Sequence, residues 1–138
     1  MHSYQHQVQY YETDRMGITH HSNYIRWMEE ARSDLLAQIG FPYDRLEAIG
    51  VISPVTAVEA DYLATTTFMD EISISVDVIA VKAARLTLAY EMRNRADARL
   101  VCQATSQHSF LDEQGNFVNL KRQQPDFFQA LKALENKS

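Results

Sequence analysis

Cysteine is almost absent: Cys102 is the one such residue in 138. That excludes an intrachain disulfide framework and a cysteine-rich zinc site. It fits a reducing compartment, and a cytoplasmic location is expected. No apolar run reaches the roughly 18 residues of a membrane-spanning helix. The opening residues, Met1-His-Ser-Tyr-Gln-His, carry no charged leader followed by an apolar stretch, so no signal peptide is expected. Basic residues are also in short supply, 13 against 18 acidic ones, for a net charge of −5. A general nucleic-acid partner is therefore disfavoured, because phosphate needs a basic surface. A small anion held by a local basic patch stays compatible with this balance. No G-x-S-x-G nucleophile elbow occurs. No linker, repeat or low-complexity segment divides the chain, so residues 1–138 are expected to form one domain.

A hydrophobic fraction of 46% is enough for a true core and argues against disorder. Residues 4–12 (YQHQVQYYE) read as a strand with Val8 and Tyr10 on one face. Tyr24, Met28, Ala31, Leu35 and Ile39 recur at helical spacing, and Ile25, Trp27 and Leu36 widen the stripe. Ser22 and Asn23 stand in front as N-cap types, and Gly40 is the expected stop. Residues 43–49 suggest a short second helix. From Val51 the period changes to two. Val51–Leu63, the Ile72–Val78 run, the Leu86–Met92 run and Leu100–Leu111 read as four further strands. Pro54 marks a bend or edge in the first. Pro125-Asp126 opens a C-terminal helix with Phe127, Phe128, Leu131 and Leu134. Short turns between consecutive strands imply an antiparallel sheet curled around the long helix, an α+β architecture.

The chemistry-bearing residues crowd one place. Asp14, Gly17, His20 and His21 sit in the turn that feeds the long helix. A helix start offers free N–H donors and a positive dipole end, which can hold a developing oxyanion. A carboxylate beside it can attack an acyl carbon or activate water. Asp14 is the candidate, as nucleophile or as general base. Gly17 supplies backbone freedom, and the oxyanion donor is expected among the amides at the helix start, that of Tyr24 included. Adjacent histidines lack the spacing of a metal site, so no metal is expected. Cys102, inside a strand, is expected to be buried and inert.

The stretch Tyr10–Arg32, YYETDRMGITHHSNYIRWMEEAR, resembles the signature of hotdog-fold acyl-CoA thioesterases of the 4-hydroxybenzoyl-CoA thioesterase group. The matching residues are Tyr10, Tyr11, Glu12, Thr13, Asp14, Gly17, His21, Asn23, Tyr24, Trp27, Met28, Glu29, Ala31 and Arg32. Looser similarity continues through Asp61-Tyr62-Leu63 and Asp70-Glu71. The resemblance implies a hotdog fold, a five-stranded antiparallel sheet around one long helix. It implies homodimers, often paired into homotetramers, with sites at the dimer interface. It also implies acyl-CoA hydrolysis without metal or organic cofactor, coenzyme A entering only as part of the substrate. Asp14 falls on the family's catalytic aspartate and His21 on a histidine common in its bacterial branch. Departures at His20, where an aromatic is frequent, and at Met69 point to a reshaped acyl or pantetheine pocket.

Other residues have plainer readings beside these. Glu29 and Arg32, three apart, make either an ion pair or a group near the interface or the site. Trp27 reads as packing. Lys82, Arg85, Arg93, Arg95, Lys121 and Arg122 are the candidate partners of CoA phosphates, with Arg85 singled out for its place beside a turn. Two alternatives stand beside hydrolysis of acyl-CoA: release of acyl groups from an acyl carrier protein, and an acyl-CoA-binding dimer that does not cleave.

Overall fold

The computed structural model describes residues 2–135. Five strands form one antiparallel sheet: β1 (Tyr4–Gln7), β2 (Val55–Tyr62), β3 (Glu71–Lys82), β4 (Arg85–Asn94) and β5 (Leu100–Ser109). Their spatial order is β1-β3-β4-β5-β2, leaving β1 and β2 at the edges. The long helix α1 (Ser22–Gln38) packs on one face of the sheet. Short helices α2 (Tyr43–Ala48), α3 (Leu120–Gln123) and α4 (Pro125–Leu134) cover the ends. This is the hotdog architecture that the resemblance implies. No helix among the described residues is long and apolar enough to cross a membrane.

Alternation explains the sheet. Leu86, Leu88, Tyr90 and Met92 of β4 are buried, while the residues between them face outward or are half-buried. In β3, Ile72, Ile74 and Val78 follow the same rule. A register shift between Val78 and Ala80 then makes Val81 the next buried residue. Onto this face α1 lays Tyr24, Trp27, Met28, Ala31 and Leu35. Each large apolar side chain buried this way contributes about 1.5–3 kcal/mol. The helix ends as its sequence predicts: Gly40 takes φ +89, and the Phe41 amide reaches back to the Leu36 carbonyl at 2.8 Å. That is a Schellman cap, which a left-handed residue makes possible. Pro125 opens α4 at its first position, and Phe127 packs 4.8 Å from Phe41, centroid to centroid.

Four expectations need correction. The strand predicted over 4–12 stops at Gln7, and Tyr10–Glu12 forms a 3-10 turn. Its cause is Glu12, drawn inward by the Trp27 indole and reaching back to the Gln9 amide; Tyr10 is left 76% exposed rather than facing the core with Val8. The strand expected from Val51 begins at Val55, since Ile52 makes only an isolated bridge to Leu111. The N-cap of α1 is His21, with no side-chain cap bond, so Ser22 and Asn23 lie inside the first turn. Helix α3 was not foreseen; it is capped by Asn119, whose side chain accepts from the Arg122 amide at 3.1 Å.

Candidate active site

Asp14 is fixed by its own turn. Its amide donates to the Ile18 carbonyl at 2.8 Å, and its carbonyl accepts from Gly17 at 3.0 Å. One carboxylate oxygen, Oδ1, accepts from the Met16 amide at 2.8 Å. No described residue bonds Oδ2. Gly17 closes the turn at φ +80, a conformation strained for any residue with a Cβ although the space around it is open. Its carbonyl accepts from Thr67 Oγ1 at 2.7 Å. The turn is thus stitched to the loop that follows β2. Thr19 strengthens the seam, donating its amide to the Thr66 carbonyl at 2.8 Å.

Asp14 lines a cavity of about 370 Å³ at the start of α1, together with His21, Tyr24, Tyr62 and Ala64. His21 is exposed at its rim; its ring stacks on His20 at 4.3 Å and meets the Tyr62 ring edge-on at 5.9 Å. Tyr24 is buried, and its hydroxyl pairs with Thr66 Oγ1 at 2.9 Å. Burial raises its phenol above the usual range. The Tyr24 amide, expected as an oxyanion donor, donates to the His21 carbonyl at 3.2 Å. Among the described residues the amide of His21 itself has no partner. His20 does not line the cavity but bonds Ser22 Oγ through Nδ1 at 2.8 Å. Met69 is also outside it, exposed and at φ 75.

Behind this wall stands a polar cluster that the sequence did not disclose. Glu12, 5% exposed, accepts from the Gln9 amide at 2.8 Å, from Trp27 Nε1 at 2.7 Å and from His6 Nε2 at 2.8 Å. Burial alone would raise its pKa, but those three donors outweigh it and hold the carboxyl below the usual range. The Glu12 carbonyl accepts from the His20 amide at 2.8 Å and from Asn23 Nδ2 at 2.9 Å. Glu12 thereby ties the segment before Asp14 to the start of α1. Glu12→Gln keeps the volume but offers one acceptor oxygen to three donors. We expect it to lower the unfolding free energy by about 1–3 kcal/mol, read as a lower urea midpoint at unchanged slope. An unchanged midpoint would contradict this role.

The remaining predicted residues are not brought to this cavity. Glu29 and Arg32 do pair, but not as a surface couple: Arg32 is 4% exposed. Its guanidinium also reaches the Ser53 carbonyl at 3.0 Å and His108 Nδ1 at 3.1 Å. Glu29 borders a separate small cavity with Ile25, Val58 and Tyr90. Arg85 lies at the far end of the sheet, where Leu86 pairs with His108. Cys102 is buried, and desolvation with the nearby Asp61 pushes its thiol up to about 11, so it is an inert thiol at neutral pH. Tyr62 is a cavity residue that the sequence offered only through the looser similarity over Asp61-Tyr62-Leu63. Among the described residues no group of three metal-ligating side chains comes together.

Comparison with known proteins bears on the family and the fold. Residues 8–133 match the model of the thioesterase-like superfamily. The chain is 30% identical over 125 residues, 90% of each chain, to a putative acyl-CoA thioesterase, YneP, of Bacillus subtilis. It is 29% identical to a 1,4-dihydroxy-2-naphthoyl-CoA hydrolase of Thermosynechococcus vestitus, over 78% of this chain and 74% of that one. Its fold superposes on the crystal structure of a DHNA-CoA thioesterase from Staphylococcus aureus with a TM-score of 0.90, at 27% identity over 96% of this chain and 89% of that chain. A match of that extent, carried on a hotdog fold, makes this chain a member of the thioesterase-like superfamily.

Proposed function

We propose that this protein hydrolyses acyl-CoA thioesters to a free acid and coenzyme A, with Asp14 as the catalytic carboxylate. The observation that carries the reading is the carboxylate with one oxygen pinned and one free, in a cavity at the start of a buried helix. The relatives' activities support it, since acyl-CoA hydrolases recur among them. In this reading the thioester carbonyl oxygen takes a hydrogen bond from the unpaired His21 amide, at the positive end of the α1 dipole. The free Asp14 oxygen then acts on the carbonyl carbon, as nucleophile or through a water it deprotonates. The His21 imidazole, at the rim, orients the thioester or assists proton transfer. Gly17 and Glu12 hold the geometry.

The working form is proposed to be at least a dimer. β2 is an eight-residue edge strand, and beside it Ile25, Val55, Tyr62 and Leu63 are each at least 42% exposed. An open edge with apolar neighbours is a template for a second copy. Thiol release from a panel of straight-chain and aromatic acyl-CoAs, with the mass in solution measured alongside, tests both statements. Turnover of at least one thioester is expected, from a particle of two or four 15.9 kDa chains. Stable binding of intact acyl-CoA without thiol release would overturn the hydrolase reading. A monomer would overturn the assembly.

A further inference from the structure

Alternation along β1 turns Tyr4 and His6 toward α1, while Gln5 and Gln7 are exposed. An inward position on a strand usually takes an apolar residue. His6 instead brings two polar nitrogens into the packing, with only 12% of its side chain exposed, so both need partners. Both face carboxylates. Nε2 meets Glu12 Oε1 at 2.8 Å, and Nδ1 stands 3.2 Å from Glu30 Oε2. The two acids come from different elements, Glu12 from the 3-10 turn that leads to Asp14 and Glu30 from the middle of α1. The imidazole lies against the Trp27 indole, centroids 4.7 Å apart and planes 37° from parallel.

A neutral imidazole has one N–H and one lone pair, and an ionised carboxylate has no proton to offer. In either neutral tautomer, a ring lone pair would therefore face a carboxylate oxygen. Imidazolium donates from both nitrogens and satisfies both acids, and its charge is favoured on the face of an indole. The other donors to Glu12, the Gln9 amide and the Trp27 indole, are neutral, so His6 is its one cationic contact among the described residues. No further cation reaches the pair. On β1, the Tyr4 hydroxyl donates to Glu30 Oε2 at 3.4 Å. On β3, His6 is opposite Ile72, and the neighbouring Glu71 is paired with Arg95 at 3.1 Å. On α1, Asp34 lies 3.7 Å from His2, and Arg26, one turn before Glu30, makes no ion pair among the described residues. The bridge bears on the candidate site through one carbonyl. That of Glu12 accepts from the His20 amide at 2.8 Å and from Asn23 Nδ2 at 2.9 Å. Between those two residues lies His21, and just beyond Glu12 lies Asp14. A shift of Glu12 would move the carboxylate turn relative to the helix start.

We propose that His6, as an imidazolium bridging Glu12 and Glu30, is a positioning residue for the candidate active site. It neutralises the buried Glu12 carboxylate and so holds the Asp14 turn against the start of α1. Loss of one ring proton releases the bridge, and turnover falls as pH rises through the His6 titration. The effect on turnover rests on the thioesterase reading; the protonation of the ring does not. The test follows the ring nitrogens of histidine-labelled protein by NMR from about pH 5 to 9, with His6 assigned through its contact with Trp27. At the pH of maximal kcat, both His6 nitrogens should carry protons. On the alkaline side, kcat for an acyl-CoA should fall with the midpoint of that titration, at little change in KM. In His6→Gln that inflection should vanish, whereas inflections due to Asp14 or His21 would persist. Its kcat should be about tenfold low throughout, since a misplacement of about 1 Å can cost a hundredfold and this one is smaller. Glu30→Gln, altered at the half-exposed end, keeps the Glu12 bond and should displace the ring titration and the kcat inflection by the same amount.

A His6 ring with a single proton at the pH of maximal kcat would overturn the bridge. An inflection at the His6 midpoint that persists in His6→Gln would overturn its hold on the site. A ring titration unmoved in Glu30→Gln would remove Glu30 from the bridge and overturn it too. Should His6→Gln not fold, the ring signals and Glu30→Gln decide, because a kcat inflection left in place while the ring titration moves would reduce His6 to packing. A wild type that cleaves no thioester would sink the thioesterase reading, and the nitrogen signals would still decide whether the bridge exists.

Discussion

Asp14→Asn is expected to lower kcat for thiol release from an acyl-CoA by about 10²–10⁴-fold, with a much smaller change in KM. Asparagine has the shape of aspartate and retains the oxygen that accepts from the Met16 amide at 2.8 Å, so the turn should survive. What disappears is the charge on the free oxygen, and with it both the nucleophile and the base. Because the groups proposed to grip the substrate are the His21 amide and the cavity wall, binding should change little. The experiment compares kcat and KM of the two proteins, with the thermal midpoint as a check on folding. Equal turnover by a folded Asp14→Asn protein would remove the carboxylate from the mechanism. A large rise in KM at constant kcat would give Asp14 a binding role instead.

Much of the fold was written in hydrophobic alternation, and the parts that were not share a physical cause. β4 was legible because Leu86, Leu88, Tyr90 and Met92 face the helix and are all large. β5 was less clear because its inward residues are Cys102, Ala104, Ser106 and His108, small or polar. They are buried nonetheless, since Arg32 from α1 and Tyr90 from β4 reach in to satisfy them. A one-dimensional pattern cannot record a partner 76 residues away. The early strand failed for a similar reason: tyrosines 10 and 11 favour extended backbone, but the Trp27 indole captures Glu12 and bends the chain there.

For the candidate site, the local part was legible and the assembled part was not. Asp14, His21 and Tyr24 are near in sequence, and they line one cavity. Tyr62 joins them only because β2 pairs with β5 and ends beside the start of α1. The helix start itself shifted by a residue. Asn23, a good capping type, instead donates to the Glu12 carbonyl, and that contact depends on tertiary placement of the turn. The shift matters for chemistry, since it leaves the His21 amide without a partner among the described residues and engages that of Tyr24. Arg85 was singled out for its charge and its turn. Its distance from Asp14 within one chain follows only from the order of the strands.

The second large effect is on stability and pH. His108 is 1% exposed and carries its proton on Nε2 by necessity, because Arg32, which can only donate, faces Nδ1 at 3.1 Å. Nε2–H donates to Ser106 Oγ at 2.7 Å, and the Ser106 hydroxyl meets Tyr90 Oη at 2.7 Å. Adding a proton to Nδ1 would set imidazolium against guanidinium in a dry site. Burial first, and Arg32 second, lower the His108 pKa to about 3 from 6.5. Glu29, also on α1, sits on the far side of Arg32 with its side chain 49% exposed. The Tyr90 phenol, pushed up to about 12 by burial, stays neutral throughout. Above pH 6.5 both folded and unfolded chains hold His108 neutral, and it adds no pH dependence. Below that, the unfolded chain takes up the proton and the folded one does not, so stability falls as pH falls, towards the folded value near 3. The slope from this group approaches about 1.4 kcal/mol per pH unit. Glu12 adds its own loss further down, once its lowered carboxyl protonates. Urea unfolding from pH 7.5 to 4.5 should therefore show a falling free energy. His108→Gln, less stable at pH 7.5, should flatten that fall by several tenths to one proton's worth per unit, about 0.5–1.4 kcal/mol. Parallel pH profiles for the two proteins would mean that His108 titrates alike in both states, and that the Arg32–His108–Ser106–Tyr90 chain is open to water.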